Sequence, residues 1–353
     1  MDIESYINLK PFSLDKIKKR KFFEKTMNSL NLFHYKNSKE YKKLLDSFGY
    51  SFKKKKLNEI PFLPAKLFKY FELRSVSKGK VFKTLSSSGT SSEIPSKIYL
   101  DKKNAHNQMK VLNKIITTVL GKERLPMLII DQNPTKLNRS TFNARGAAIY
   151  GFSIFGKNHT YLLNDQGKID YNLLNIFLNK YGKGKFFIFG FTSLVFENLV
   201  KKISTKLIKF DFRNGILLHG GGWKKMQKIK INNKTFKQKL FSKIKLKNIY
   251  NYYGLVEQTG SIFIECKKCK CFVTSVFSDI LIRDKYFNVV KNGKKGLIQL
   301  FSLLPTSYPG HNILTEDIGE IVGDNGCQCG LLGKQFLVHG RAEQSEIRGC
   351  SDT

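Results

Sequence analysis

Four short apolar runs, LPMLIIDQ, GKFFIFGF, NGILLHGGG and KNIYNYYG, follow one another between residues 125 and 254, and each ends in turn-forming residues. Between them lie segments with apolar residues at helical spacing, such as YNLLNIFLNKYG and SLVFENLVKKIS. A run of this length bounded by turn signals suits a strand covered on both faces. Strands that alternate with helices need crossover connections, and those make the sheet parallel. The pattern predicts an α/β fold with largely parallel sheets, whose ligands sit at the carboxyl ends of the strands. Beyond about residue 260 the pattern changes to shorter β segments, CFVTSVFSDILIRD and KGLIQLFSLL, joined by turns. The first sixty residues alternate apolar and basic positions as amphipathic helices do, for example in IKKRKFFEKTMNSLNLF. In IPFLPAKLFKYF, Pro61 and Pro64 prevent a continuous helix and predict an extended connection into a core. KVFKTLSSSGTSSEIPSKIYL reads as strand, loop, strand, and no internal repeat is present.

A chain of 353 residues can bury a large core, so an enzyme is within reach on size alone. The formal charge of +35 invites a nucleic-acid reading, because a cationic surface gains affinity by releasing counterions from phosphates. Aromatics are interleaved with lysines in KIKKRKFF, SFKKKKL and KKMQKIKINNKTFKQKLFSKIKLKN. Lysine greatly outnumbers arginine, however, whereas base-edge reading favours the guanidinium fork. A solvated lysine-rich surface that attracts an acidic protein partner is the preferred reading, and non-catalytic nucleic-acid binding the alternative. No apolar run reaches the length of a membrane span, and the start MDIESYINLKPF lacks the apolar region of a secretory signal. The expected location is the cytoplasm. There, clustered cysteines are more often metal ligands than disulfides. Cys266, Cys269 and Cys271 form C-x-x-C-x-C, and Cys327 and Cys329 form C-x-C. Four thiolates suit a structural, tetrahedral Zn²⁺ with no open position for catalysis. Five candidates for four places leave Cys269 and Cys271 as alternatives.

Several loops carry chemistry. SSSGTSSEIPSK offers Ser86, Ser87, Ser88 and Thr90 as hydroxyls, Gly89 for close approach of the backbone, and Lys97 as a point charge for phosphate oxygens. It lacks the spacing of a Walker A loop. In NYYGLVEQTG, Tyr253 can stack on a purine, Gly254 turns the chain, and Glu257 can hold Mg²⁺ that bridges phosphates. Asp317 in ILTEDIGEI, expected at a strand end, can accept hydrogen bonds from a ribose diol. Gly221 and Gly222 in HGGGWKK allow a flat base to lie against the backbone. Each of these alone reads as an ordinary turn. His219 and His311 lie near the loops, whereas His34, His106 and His159 are expected at the surface.

The order SSSGTSS…PSK, HGGGW, YYGLVEQ, TEDIGE and Gly340–Arg341 resembles the adenylate-forming enzymes. The nearest branch contains the acyl-protein synthetases of bacterial luminescence and the phenylacetate–CoA ligases. IPFLPAKLFK, SYPGHNILTEDIG and GRAEQSEIRGC look like the acyl-protein synthetase side, and the resemblance runs from about Ile60 to Cys350. It implies an adenylate-forming large domain over residues 1–339, with parallel sheets flanked by helices plus a small β subdomain. A short tail over 340–353 stands where full-length relatives carry a further domain.

The implied activity is ATP-dependent conversion of a carboxylic acid to an acyl adenylate. By position, Ser86 to Thr90 embrace the phosphates, Tyr253 lies against adenine, Glu257 carries Mg²⁺, Asp317 holds the ribose and Arg341 sits at the nucleotide's edge. Gly190, Phe191 and Thr192 line the acyl pocket. The family often has Ser or Thr before the glutamate, but position 256 is Val256. The lysine of the family's further domain has no counterpart. In its place is EIRGCSDT, whose Cys350 matches the cysteine that accepts the acyl group in acyl-protein synthetases. A neighbouring guanidinium, Arg348, favours the thiolate. The acyl group would then pass to a reductase or an acidic acyl carrier protein. The rival expectation is a ligase that releases acyl-CoA.

Overall fold

The computed structural model describes residues 3–87, 94–133, 144–221, 231–324 and 326–342. Ser88, Gly89, Thr90, Gly222 and Cys350, named above, lie outside the described residues. The described chain divides into two compact units, the first comprising residues up to 87, 94–115 and 253–342, the second residues 116–221 and 231–252.

The first unit opens with α1 (Ile3–Ile7), α2 (Lys16–Asn37) and α3 (Lys39–Ser47). Helix α2 begins where the Asp15 carboxylate accepts the Lys18 N–H at 2.9 Å, an N-cap that satisfies an otherwise unpaired donor. Phe23, Met27, Leu30 and His34 recur at helical spacing and form its buried face. His34 is therefore a core residue, not the surface histidine expected. Its Nδ1 lies 2.8 Å from Ser75 Oγ and its Nε2 3.1 Å from the Pro305 carbonyl, and burial brings its pKa down to about 3. After the Pro-rich connection, β1 (Leu63–Pro64) and α4 (Leu67–Tyr70) lead to a hairpin of β2 (Lys83–Ser86) and β3 (Lys97–Leu100), with Ser86 opposite Lys97. Helix α5 (Lys102–Leu120) follows.

The second unit contains β4 (Leu125–Ile129), α6 (Ala144–Ser153), β5 (Gly156–Tyr161), α7 (Tyr171–Tyr181), β6 (Phe186–Phe191), α8 (Thr192–Val195), β7 (Gly215–Gly220), α9 (Asn233–Ile244) and β8 (Asn248–Tyr253). Its strands are all parallel in the order β5-β4-β6-β7-β8. The α/β reading of this stretch holds. Every residue of β6 and β7 is buried. Phe186 and Ile188 point into a cluster with Leu174, Phe177 and Leu178 of α7 and Phe236 and Leu240 of α9. On the other face Phe189 stacks on Phe152 of α6 at 4.5 Å. Each fully buried Phe contributes about 1.5–3 kcal/mol by leaving water.

Returning to the first unit, β9 (Phe263–Glu265), β10 (Phe272–Val273), β11 (Ser278–Arg283), β12 (Gly296–Ser302), β13 (Asn312–Gly323) and β14 (Gln335–Arg341) pair antiparallel in the order β11-β12-β13-β14-β10-β9. The front of β13 also pairs in parallel with β1, at Leu63–Ile313 and Pro64–Leu314. Asp317 consequently lies inside a long strand and not at a strand end. A register shift just after it, between Ile318 and Gly319, interrupts the pairing with β14. This sheet buries polar side chains. Arg283 Nε donates to Gln299 Oε1 at 2.5 Å, Gln299 Nε2 to Asn312 Oδ1 at 2.7 Å, and Asn312 Nδ2 to the Ile60 and Pro61 carbonyls. That chain of bonds fixes the Pro-rich connection to the sheet.

Candidate active site

Strand β8 ends at Tyr253, Gly254 follows, and a single 3₁₀ turn, Val256–Gln258, carries Glu257. Glu257 is 7% exposed. Its main-chain carbonyl accepts the Tyr308 hydroxyl at 2.9 Å. Burial pushes the Glu257 carboxyl above the usual range, while Ser96, its own N–H and the positive charge of Arg341 pull it back. Gly310 permits the close approach, because a Cβ there would meet the Tyr308 ring and come within 2.7 Å of the Glu257 carbonyl oxygen. The turn's other polar side chains are engaged elsewhere. Thr259 Oγ1 donates to the Val256 carbonyl at 2.6 Å, and Gln258 Nε2 donates to the Leu300 and Gly310 carbonyls.

Tyr253 donates its hydroxyl to Asp317 Oδ2 at 2.7 Å, with its ring packed among Phe263, Phe272 and Phe336. Burial, then the Asp317 charge, raises the phenol well above its ordinary pKa, so it stays a donor. Arg341 is opposite Asp317 on β14, with Nε 3.6 Å from Asp317 Oδ1 and Nη1 3.5 Å from Glu316 Oε2. The charge of Asp317 also acts on Glu257. The first unit thus joins Tyr253, Asp317 and Arg341 in one network, and the charges of Arg341 and Asp317 act on Glu257.

The hairpin places Ser86 and Lys97 exposed and opposite each other. Ser87 N–H donates to the Ser96 carbonyl at 3.0 Å, and Ser96 N–H donates to Ser87 Oγ at 2.9 Å. Ser96 and Tyr308 were missed from the sequence. For Ser96 a signal existed, since Ser96, Ile98 and Leu100 are the buried alternate positions of one strand.

In the second unit Gly190 and Phe191 end β6, and Thr192 opens α8. Thr192 Oγ1 donates to the Gly220 carbonyl at 3.1 Å and lies 2.9 Å from His219 Nδ1, which serves as the donor to it. Burial, helped by the charge of Lys237, brings the His219 pKa down to about 3 and keeps the ring neutral. Gly190 leaves room for core packing, because a Cβ there would be 2.8 Å from Val195 and 2.9 Å from Ile130. Gly221, at φ +81°, turns the chain beyond β7.

The cysteines separate into two sets. Cys266 Sγ lies 3.0 Å from Cys329 Sγ and 3.3 Å from Cys327 Sγ, and the sulfurs of Cys266, Cys269 and Cys327 all lie within 4.8 Å of one another. Cys271 instead directs its thiol to the Cys269 carbonyl at 3.3 Å. Two turns face each other here, one closed by Cys266 N–H to the Cys271 carbonyl and one by Cys327 N–H to the Leu331 carbonyl, both at 2.8 Å. Burial raises the Cys327 thiol, but hydrogen bonds from Cys329, Cys269 and Cys266 outweigh it and bring the pKa to about 7. Three sulfurs within 4.8 Å of one another are ligands of the type that Zn²⁺ takes, and Cys329 adjoins them through Cys266.

The arrangement in the first unit can hold a cation and a nucleotide. An ionised carboxylate such as that of Glu257 has about four lone-pair sites on which it can accept donors or hold a cation. No helix among the described residues is long and apolar enough to cross a membrane.

Comparison with known proteins places these features. The family model for acyl-protein synthetase, LuxE, matches residues 2–353. The long-chain-fatty-acid–luciferin-component ligase of Aliivibrio fischeri is 24% identical over 309 residues, which cover 84% of this chain and 79% of that protein. Among solved structures, 2-hydroxyisobutyryl-CoA ligase in the postadenylation state superposes with a TM-score of 0.68 at 10% identity, over 94% of this chain and 69% of that one. An open conformation of the same ligase gives 0.68 at 12% identity, over 96% and 78%. The likeness to these solved structures establishes the adenylate-forming fold, and the family match runs across the whole sequence. The chain belongs to the acyl-protein synthetase family and is an AMP-forming acyl ligase.

Proposed function

We propose that the protein activates a fatty acid with ATP, loads the acyl group on Cys350 as a thioester and passes it to a partner. The observation that carries this reading is the Tyr253–Asp317–Arg341 network, a tyrosine–aspartate pair suited to a nucleoside, together with the buried Glu257 carboxylate on which the charges of Asp317 and Arg341 act. A carboxylate oxygen of the acid attacks the α-phosphorus of ATP, the bond to the β-phosphate oxygen breaks, and pyrophosphate leaves. Two anions meet in that step, so cations and oriented donors must absorb the charge. Mg²⁺ held by Glu257 would supply such charge. Lys97 and the hydroxyls of Ser86 to Thr90 would face the phosphates, Asp317 would hold the ribose diol, and Arg341 would border the nucleotide. Gly221 and Gly222 would flank the base. Gly190, Phe191 and Thr192 would border the acyl group. The Cys350 thiol loses its proton to solvent, the thiolate attacks the acyl carbon, and the bond to the phosphate oxygen of AMP breaks, releasing AMP.

A long-chain acid is supported by the name of the Aliivibrio fischeri relative. The partner we infer is a reductase or an acidic acyl carrier protein, drawn to the basic surface and bound less tightly as salt rises. Zn²⁺ on Cys266, Cys269, Cys327 and Cys329 would join the two turns as a structural ion. Cys269→Ser should then lose bound zinc, and Cys271→Ser should keep it.

Mass spectrometry after incubation with ATP, Mg²⁺ and a panel of acids tests the loading step. The expected result is a hydroxylamine-labile acyl adduct on Cys350 that Cys350→Ser abolishes. Free acyl-CoA formed equally by that variant would favour a CoA ligase. Salt-dependent binding to DNA or RNA with no pyrophosphate exchange would favour the nucleic-acid alternative.

A further inference from the structure

We propose that Tyr308 is the positioning residue for the turn that carries Glu257, and that the loop from Pro305 to His311 is the bracket that holds this turn in place. The proposal rests on the reading of Glu257 as the Mg²⁺ carboxylate. That carboxylate stands on a three-residue 3₁₀ turn, Val256–Gln258. A turn this short has no cooperativity of its own, so its place must come from tertiary contacts. Its local bonds run from the Gln258 N–H to the Leu255 carbonyl at 3.1 Å and from the Thr259 N–H to the Val256 carbonyl at 3.3 Å. Neither uses the Glu257 carbonyl. That oxygen accepts the Tyr308 hydroxyl at 2.9 Å, across 51 residues of sequence.

The loop meets the turn at a second point and is itself tied down. Gln258 Nε2 donates to the Gly310 carbonyl at 2.9 Å, so one bond runs from loop to turn and another from turn to loop. Gly310 lets the two approach, since a Cβ there would collide with the Tyr308 ring and lie 2.7 Å from the Glu257 carbonyl oxygen. The loop's own anchors lie elsewhere in the first unit. Ser75 N–H donates to the Ser307 carbonyl at 2.7 Å, and the Ser307 hydroxyl donates to the Tyr99 carbonyl of β3 at 2.8 Å. Just before the loop, Asn104 Nδ2 of α5 donates to the Leu304 carbonyl at 2.7 Å. Tyr308 is 0% exposed, with Phe68 of α4 edge-on to its ring at 6.2 Å. Loss of its hydroxyl would leave the carbonyl of a buried residue unpaired. The turn could then satisfy that oxygen only by moving, and the Glu257 carboxylate would move with it.

The test compares Tyr308→Phe, which keeps the ring and removes the hydroxyl, with Phe68→Leu, which loosens the same cluster and keeps the hydroxyl. Mn²⁺ binding to the protein in the presence of ATP, without acid, is followed by electron paramagnetic resonance. Acid-dependent pyrophosphate exchange, with the acid that best supports it, gives the half-saturating Mg²⁺ and the KM for the acid, and denaturant unfolding gives the stability of each variant. Tyr308→Phe should weaken Mn²⁺ binding and raise the half-saturating Mg²⁺ by roughly 5- to 30-fold, as expected for a buried carbonyl left unpaired. The KM for the acid should stay within about 2-fold. Phe68→Leu should lower the unfolding midpoint and leave the Mg²⁺ dependence unchanged. If Tyr308→Phe does not fold, Gly310→Ala, whose methyl would press on both the Tyr308 ring and the Glu257 carbonyl, takes its place with the same expected shift. Wild-type metal dependence in the variant that folds, an equal rise in the KM for the acid, or a Phe68→Leu variant shifted as far as Tyr308→Phe overturns the proposal and leaves the reading of Glu257 intact. If Glu257→Gln keeps wild-type Mn²⁺ binding and Mg²⁺ dependence, the reading of Glu257 fails, and this proposal with it.

Discussion

The two units bury their strands with different chemistry. In the second, β6 and β7 read FFIFGF and GILLHG, buried throughout and almost wholly apolar. In the first, β11 to β13 bury Asp279, Arg283, Gln299, Asn312 and Thr315. Apolar burial is non-directional, so it holds a sheet together without fixing where a particular atom sits. A buried polar network stabilises less on balance, but it has few satisfied geometries. Of the candidate nucleotide residues of the first unit, Tyr253, Asp317 and Arg341 are held by just such directed contacts between side chains, and Glu257 by the Tyr308 hydroxyl on its main chain. The second unit uses one too, where Thr192 joins His219 to Gly220, at the end of β6 and β7 beside the residues proposed for the acyl group.

Truncation should separate the two regimes most sharply. Phe189→Ala should cost about 4 kcal/mol in denaturant unfolding, because its 0% exposed ring leaves a cavity between Phe152 and the sheet. Phe189→Leu should recover most of that loss. Lys334→Ala should cost about 3 kcal/mol for another reason. Asp279 is buried, but Lys334 at 3.0 Å and Lys19 outweigh burial and hold its carboxyl below the usual range. Recovery there should require replacing the charge as well, as in Asp279→Leu combined with Lys334→Met. If Lys334→Ala alone is harmless, the contrast between the units fails.

Acid should act on both units. His34 in the first and His219 in the second have pKa values near 3 in the folded chain, below the ordinary imidazole value near 6.5. The unfolded chain therefore takes up their protons first, and the stability they contribute is complete above about pH 6.5 and is lost as pH falls toward 3. Each should account for about 2 kcal/mol by pH 5. His34→Gln should flatten that decline in equilibrium unfolding, and an unchanged slope would contradict the buried neutral assignment. The smallest effect belongs to the surface of the second unit. Asp170→Ala, which removes the N-cap bond to the Leu173 N–H at 2.9 Å, should cost about 1 kcal/mol.

The same contrast explains what could be read from the sequence. Four strands of the parallel sheet, β4, β6, β7 and β8, were legible because each announces itself locally by an apolar run and a turn, whereas β5, GKNHTY at the sheet's edge beside β4, is polar and largely exposed and was not foreseen. The β2–β3 hairpin was legible for the same reason. In the first unit the decisive contacts join residues far apart in sequence, and no local period reports them. Tyr308 meets Glu257, and Arg341 meets Asp317, across 51 and 24 residues of sequence, only because the chain folds back to bring them together. Asp317 was expected at a strand end, whereas β13 continues past it through a register shift. The choice between Cys269 and Cys271 depended on which thiol the turn hydrogen bonds direct inward. His34 is a different lesson: the spacing Phe23, Met27, Leu30, His34 already put it on the buried face, and its polarity obscured that.

The central claim is that the first-unit network supports acyl adenylation through Glu257. Acid-dependent exchange of labelled pyrophosphate into ATP, measured across short- to long-chain acids for the wild-type chain and Glu257→Gln, tests it most directly. The account predicts exchange with at least one long-chain acid and a loss of roughly 100-fold or more in a Glu257→Gln variant that remains folded. Exchange with no acid, or exchange unaffected by Glu257→Gln, would contradict it.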